Sequence, residues 1–262
     1  MLNHKRTRSF VHSSRTPRQH CNGFTLIELM IGILVGTIVI AAVIALYVTA
    51  IRGAIAVTQE TRVTQETRIA MDLMVNDIRR AGYVFPHPNR IDEDPDTGLP
   101  LNPFMSADLN IGIHGGSCLM LSYDPTFRYP PDPSSMSRDL SDLDAAEVQY
   151  VFGYRLNGNA IQLLTNESQT TSTGNCPDRP WASLTDPNTT NVTSLEFDLE
   201  TFCLNTTDDD DTNCASPSSG DVLIEKRRVN ITLVAEHAQN PDTRIQLEES
   251  VAVRNDHVYA AE

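Results

Sequence analysis

The sequence predicts an α+β protein: one long amino-terminal helix, apolar in its first half and amphipathic in its second, packed against an antiparallel β-sheet head. Three features of the 262 residues carry that prediction. The run from Leu29 to Ile51 holds no charge, and no proline falls between Pro17 and Pro86. From Gly82 onward the composition turns to Pro, Asp, Ser, Thr and Asn interleaved with short β-type runs. The length suits one sizeable domain with an appendage. A formal net charge of −14 argues against nucleic acid as a partner, because phosphate binding needs dense Lys and Arg.

Residues Met1–Gly23 carry Lys5, Arg6, Arg8, Arg15 and Arg18 with no acid, a local charge of +5. They lack a core pattern and read as a leader. The uncharged run that follows is 23 residues, about 34 Å as a helix, enough to cross a bilayer's hydrocarbon. A secretory signal would place a small-residue cleavage site after a shorter apolar core; here Gly23 precedes a longer one. Basic residues stay cytoplasmic, so everything after Ile51 is expected on the exported side of a single membrane span. Cleavage at Gly23 would remove the leader and keep the anchor.

Glu28 lies just before the uncharged run, where a carboxylate is costly. One reading is an interfacial acid favoured by the helix N-terminus. The other is a buried carboxylate paired with a cation from another copy of the segment. Cleavage before Phe24 would create such a cation, the new α-amine. Gly32 and Gly36 form a GxxxG that fits close helix packing and fits equally the general abundance of Gly in membrane helices.

The helical pattern continues past Ile51. A helix over residues 24–81 would be about 87 Å long, with 24–51 as its membrane and assembly segment. Arg62–Glu66 and Arg68–Asp72 fall at i,i+4 and are expected to support it weakly. Ala70, Leu73, Met74, Ile78 and Ala81 make an apolar stripe for packing under a sheet. Val57–Arg62 and Val63–Arg68 are the same hexapeptide, VTQETR. Six residues rotate a helix by about 600°, so the copies face different ways and extend the helix without making a solenoid. Gly82 is the expected C-cap, with Pro86 and Pro88 preventing resumption.

The stretch Gly23-Phe24-Thr25-Leu26-Ile27-Glu28-Leu29-Met30, with basic residues before it and an uncharged helix after it, resembles the type IV prepilin processing motif. The resemblance implies cleavage between Gly23 and Phe24 by a prepilin peptidase, N-methylation of Phe24, and a subunit-docking role for Glu28. The leader is long compared with many members. Asp77, Ile78, Arg79, Ala81, Gly82 and Tyr83 match the D-I-R-x-A-G-Y pattern at the helix end of PilW-type minor pilins, and J-type pseudopilins of type II secretion carry related sequences there. Leu247–Asn255 is similar to the closing strand of these proteins. The match covers about a third of the chain. It implies a pilin-like fold and a low-abundance subunit that primes or supports a type IV pilus. Its implied partners are prepilin peptidase, the inner membrane before assembly, other minor pilins and the major pilin, with the pilus as its final location.

The head, residues 82–262, holds 10 basic and 29 acidic residues and so carries −19. Strands are expected at Cys118–Tyr123, Glu147–Leu156, Ala160–Leu164, Ser194–Leu204, Val222–Ala235 and Arg244–Val253. Asn157-Gly158 and Asn240-Pro241-Asp242 are the turn signals, and Tyr129–Pro133 and Thr165–Thr193 read as long loops. Cys21 leaves with the leader. Cys118, Cys176, Cys203 and Cys214 suggest two disulfides with three connectivities, Cys203–Cys214 being preferred because it pins a short acidic loop.

No cofactor or metal is expected. Zinc lacks a CxxC pair or His cluster. Asp92, Asp94 and Asp96 before Gly98, and Asp208–Asp211, are better read as solvated turn acids than as calcium ligands, since the EF-hand spacing fails at Gly98 and Pro103. His114-Gly115-Gly116-Ser117 resembles an oxyanion-hole loop without an accompanying G-x-S-x-G, so a turn accounts for it. No catalytic residue is predicted. The alternatives to a type IV minor pilin are a type II secretion pseudopilin, a pilus-tip adhesin that uses its long loops, and a membrane-tethered enzyme, which would need an active-site cluster that the motifs do not supply.

Overall fold

The computed structural model describes residues 23–84, 98, 102–106, 108–125, 149–165, 170–178, 180–207, 214 and 216–261. Helix α1 runs Leu26–Arg80, 55 residues without a break. The chain divides into two compact units, one ending at Gly53 and the other beginning at Ala54. In the first unit the helix is the whole structure described.

In the second unit the lower half of α1 lies under two antiparallel sheets. The first sheet is a meander of β1 (Gly112–His114), β2 (Cys118–Ser122), β3 (Val151–Asn157), β4 (Ala160–Leu164) and β5 (Trp181–Ser183), in that spatial order. The second contains β6 (Thr190–Asn205), β7 (Val222–His237) and β8 (Asn240–Ala252), with β9 (His257–Ala260) also on β7. β8 pairs with residues 228–237 of β7, and β9 with 222–225, so the two share one side of β7. β1, β5 and β9 are too short to show periodicity, and the sequence reading missed all three.

One core joins helix and sheets. Val63, Thr67, Ala70, Met71, Met74 and Ile78 are buried along one side of α1, at the three- and four-residue steps of a helical face. They cluster with Leu119 and Leu121 of β2, Ile161 of β4, Leu195 and Phe197 of β6, and Val229, Ile231 and Leu233 of β7. Each fully buried aliphatic side chain contributes about 1.5–3 kcal/mol of transfer free energy. Thr67 avoids an unpaired hydroxyl by donating to Val63 O at 2.7 Å. Leu73, expected in the stripe, is exposed, one residue off the buried side.

The repeated hexapeptide shows the helix phase directly. Val63 is 1 % exposed and Val57 is 64 % exposed, although their local sequences are identical. Neither expected i,i+4 ion pair forms among the described residues. Glu66 instead accepts from Thr189 Oγ1 at 3.0 Å and from Asp186 N at 3.4 Å, fastening a loop to the helix.

All five residues of β2 are buried because both faces of its sheet are covered. Leu119 and Leu121 face the main core. Cys118 and Met120 face a second cluster with Phe104, Tyr150, Val151 and Leu164. A 3-10 turn over Pro103–Met105, capped by Asn102 Oδ1, carries Phe104 into that cluster. The disulfides are Cys118–Cys176, which ties β2 to the segment before β5, and Cys203–Cys214, which closes the chain leaving β6.

Two turn expectations need correction. Asn157 pairs with Ala160, so the reversal is Gly158-Asn159. Gly158 has φ +63° and Asn159 is not left-handed, the pattern of a turn that needs positive φ only at its first central residue. His237 pairs with Asn240, so β7 turns at Ala238-Gln239, and Pro241-Asp242-Thr243 form a bulge on the outer strand, where a missing N–H is tolerated. Thr165–Thr193 is not a plain loop, since it includes β5 and the start of β6. The last strand is β9, not the Leu247–Asn255 stretch, which ends β8 and turns. Residues 1–22, Pro86, Pro88, Asp92, Asp94, Asp96, Asp208–Asp211 and Tyr129–Pro133 lie outside the described residues.

The two disulfides span 58 and 11 residues. Chain-entropy arguments give stabilisations of about 4 and about 3 kcal/mol. Replacing Cys118 and Cys176 by Ser is expected to lower the thermal midpoint more than replacing Cys203 and Cys214, as read by circular dichroism. The reverse order would show that loop closure does not dominate.

Candidate functional sites: the apolar segment and the helix end

Thr25 starts the helix. Its side-chain oxygen accepts from Glu28 N at 3.3 Å, and its carbonyl accepts from Leu29 N at 3.1 Å. Thr25 is thus the N-cap and Glu28 the third helical residue, the spacing of a capping box. A carboxylate in the first turn is favoured by the helix dipole. Gly23 and Phe24 precede the helix and are exposed, as is Glu28. The three residues expected to be processed, methylated and used for docking therefore stand together on an uncovered end.

The segment beyond them is equally bare. Leu29, Ile33, Ile40, Ile44 and Leu46 are all more than half exposed. The helix is long and apolar enough to cross a membrane, and none of its apolar window is buried. A side chain in Cβ position at Gly32 or Gly36 would meet nothing within 4 Å. So large an apolar surface on a soluble face would be an aggregation liability, and marks a membrane or protein interface.

The other end of α1 is built differently. Its last turn falls against β2 and β3, and Asp77 accepts from Tyr154 Oη at 2.6 Å and Tyr123 Oη at 3.0 Å. Tyr123 stacks on Phe152 with ring centroids 4.3 Å apart. Burial pushes both phenols well above their usual range, and the neighbouring Asp77 charge adds to the effect. A carboxylate held by two phenol donors is a strong hydrogen-bonded anchor between helix and sheet.

A helix end leaves carbonyls without intrahelical partners. Here Arg79 O accepts from Arg254 N at 3.4 Å, and Ala81 O accepts from Asn255 Nδ2 at 3.0 Å. Asn255 Nδ2 also lies 3.4 Å from Arg80 O, and Gly82 O accepts from Asn102 Nδ2 at 2.8 Å. Gly82 adopts φ +73° and its N–H reaches Ser122 O at 2.8 Å, so the chain leaves the helix by extending the edge of β2. The two stretches that resembled minor pilins, Asp77–Tyr83 and Leu247–Asn255, therefore meet in space. Asn255 was not singled out from sequence, because a capping Asn 175 residues from its acceptor leaves no local signal.

Arg227 completes this end. It is 3 % exposed in β7 and has no carboxylate within ion-pair distance among the described residues. Nη2 donates to Asn255 O at 2.8 Å and lies 2.9 Å from Met105 Sδ, while Nη1 donates to Asn110 Oδ1. Burial holds its pKa below the usual guanidinium range, opposed by the charges of Glu225 and Asp256. The negative end of the helix dipole favours a cation at this position.

The His114–Ser117 motif makes a turn. Gly115 and Gly116 form the β1–β2 turn, and the carbonyls of Gly116 and Ser117 accept from Phe197 N and Leu156 N. Among the described residues no group of three His, Cys, Asp or Glu could hold a metal.

Comparison with protein families agrees with the geometry. Residues 18–44 match the prokaryotic N-terminal methylation motif. Residues 56–253 match the model of prepilin peptidase-dependent protein B, about three quarters of the chain. The chain belongs to the prepilin peptidase-dependent protein B family. No curated protein and no solved structure matches it. Family and motif together make it a pilin-like structural protein of the minor pilin or pseudopilin kind, with one apolar helix among the described residues that suits an inner-membrane anchor.

Two outcomes test the helix end. A Cβ at Gly82 would overlap Met105 Cε and require left-handed backbone, so Gly82→Ala should destabilise the head by about 2 kcal/mol or more, read by chemical denaturation. The raised phenol pKa values mean that the unfolded state loses these protons first. Stability should be steady below pH 10, the ordinary Tyr value, and fall as pH rises above it. Tyr154→Phe should flatten that alkaline fall in pH-dependent melting. An unchanged slope would contradict the anchor.

Proposed function

We propose that this protein is a PilW-like minor pilin of a type IV pilus, anchored in the inner membrane with a periplasmic head and then incorporated to prime or support assembly. The observation that carries the reading is the bare apolar half of α1, joined to an exposed Gly23-Phe24 junction and to Glu28 in the first turn. Before assembly, lipid covers the apolar side chains; during assembly neighbouring helices replace lipid, so their removal from water is never reversed.

Prepilin peptidase would cut between Gly23 and Phe24, and methylation would leave a cationic N-methyl amine on Phe24. Within one subunit Glu28 serves the helix N-terminus. Moving into a bundle desolvates it, and pairing with a neighbour's Phe24 amine offsets that cost and sets axial register. The long, acidic head suits a sparse subunit better than a densely repeated one, since heads of −19 repel one another. Other minor pilins and the major pilin are the proposed partners.

A second reading, a J-type pseudopilin of type II secretion, is favoured by Asp77–Tyr83 alone, which those proteins share. Co-purification with pilus or with secretion subunits separates the two. Glu28→Ala should leave the melting of the head unchanged and sharply reduce the amount recovered in sheared pili, relative to the amount in membranes. Wild-type recovery of that variant would remove the docking role.

A further inference from the structure

The outer edge of β6 is closed along its first half and, among the described residues, open along its second. Val192 N donates to Asn159 O and Phe197 N donates to Gly116 O, so the first sheet covers the edge that far. The Phe197 bond points away from β7 and fixes the phase of the strand. Thr206 N, odd-for-even out of step with it, donates back to Val222 O, as the phase requires. Leu199, Thr201 and Cys203 therefore point N–H and C=O outward, and none of these groups has a partner among the described residues. Thr201 lies opposite Arg227, level with the end of α1, so the open edge extends beyond the helix.

Side chains along this edge are not those of a protected one. Phe202 is 49 % exposed and Leu204 40 %, on the outer face of the sheet. No Lys, Pro or bulge interrupts residues 198–205; the register shift in β6 lies earlier, at Val192/Ser194. Proteins usually blunt open edges by such devices. Asp198 and Glu200 precede the apolar pair on the same face. Asn230 Nδ2 donates to Glu200 at 2.9 Å and lies 3.5 Å from Asp198, and Arg228 lies 3.8 Å from Glu200. Glu200 is ion-paired with Arg228, whose guanidinium also lies 5.4 Å from the Phe202 ring centroid. Asp198 and the −19 of the head are therefore what disfavour pairing with a second copy and favour a cationic strand.

We infer that the β6 edge from Asp198 to Leu204 receives an extended strand of a different chain, paired antiparallel, with apolar residues opposite Leu204 and Phe202 followed by basic residues opposite Glu200 and Asp198. Main-chain bonds to Leu199, Thr201 and Cys203 supply the affinity, and the alternate side chains supply the choice of partner. The inference deepens the assembly reading and rests on it for the setting, a neighbouring subunit, whereas the pairing chemistry is tested without a pilus.

The test uses the full chain in detergent micelles and a fluorescent peptide, acetyl-Thr-Val-Thr-Val-Thr-Lys-Thr-Lys-Thr-amide, followed by anisotropy. Saturable binding is expected, weakened at least about tenfold by Thr201→Pro, which deletes an outward N–H without touching the β6–β7 ladder. Phe202→Lys should weaken it comparably. Methylating the peptide's backbone nitrogens, which needs no change to the protein, should abolish it. Replacing the lysines by glutamates should weaken it at least about tenfold. No saturation, or equal binding by the methylated peptide, overturns strand addition; equal binding by the glutamate peptide overturns the basic partner. Self-association of the chain through β6, seen as a dimer that Thr201→Pro dissolves, would overturn the choice of a different chain. Absence of the protein from pili would defeat the assembly reading and leave this result standing.

Discussion

The end of α1 is held by the head: its last carbonyls, exposed at Arg80 and part-buried at Ala81, take donors from distant parts of the chain. A buried acceptor without a donor costs about 1–3 kcal/mol, and a helix end presents several at once. Asn255, Arg254 and Asn102 come from parts of the chain far apart in sequence to supply donors. Arg227 holds Asn255 by its carbonyl while its charge lies near the negative end of the helix dipole. Asp77 adds the anchor one turn earlier, where two tyrosines from the first sheet donate to one carboxylate. The result is a helix whose final turn is gripped by both sheets.

That grip explains how one helix serves in two surroundings. Below Val63 the helix is packed by side chains at three- and four-residue steps; before it, apolar and polar residues alike are exposed. Helix propensity marks the join only at Gly53, through which α1 runs unbroken; Ile, Leu and Val dominate the first half and Thr, Glu and Arg the second. The difference lies in what covers them. Residues 63–81 are solvated by the head. Residues 26–51 are left exposed. On the proposed function, an apolar rod that stays out of water both in lipid and in a helix bundle needs no refolding when it passes from one to the other.

Much of this was legible in the sequence, and the gaps have physical causes. The length of the rod, the Gly82 exit and the main strands follow from composition and period. Leu73 was misplaced because a five-residue stripe cannot fix the helix phase to within one position. The turns at Gly158-Asn159 and Ala238-Gln239 differed by a residue or two from expectation, since Asn and Gly adapt to several turn positions and the partner strand decides between them. The capping role of Asn255 and the buried charge of Arg227 were out of reach, because both depend on contacts between residues more than a hundred positions apart. The N-terminal methylation motif was legible for the opposite reason: it is local, carried by one linear stretch of the chain.

The central claim is that one apolar helix, cut free of its basic leader and still attached to its head, is the working part of this protein. The most direct measurement is the intact mass and the amino-terminal residue of the protein recovered from cell membranes. The account predicts a chain beginning at Phe24, heavier by one methyl group and still carrying the whole of α1. A chain beginning at Met1, or one that has lost the apolar segment through Ile51, would contradict it.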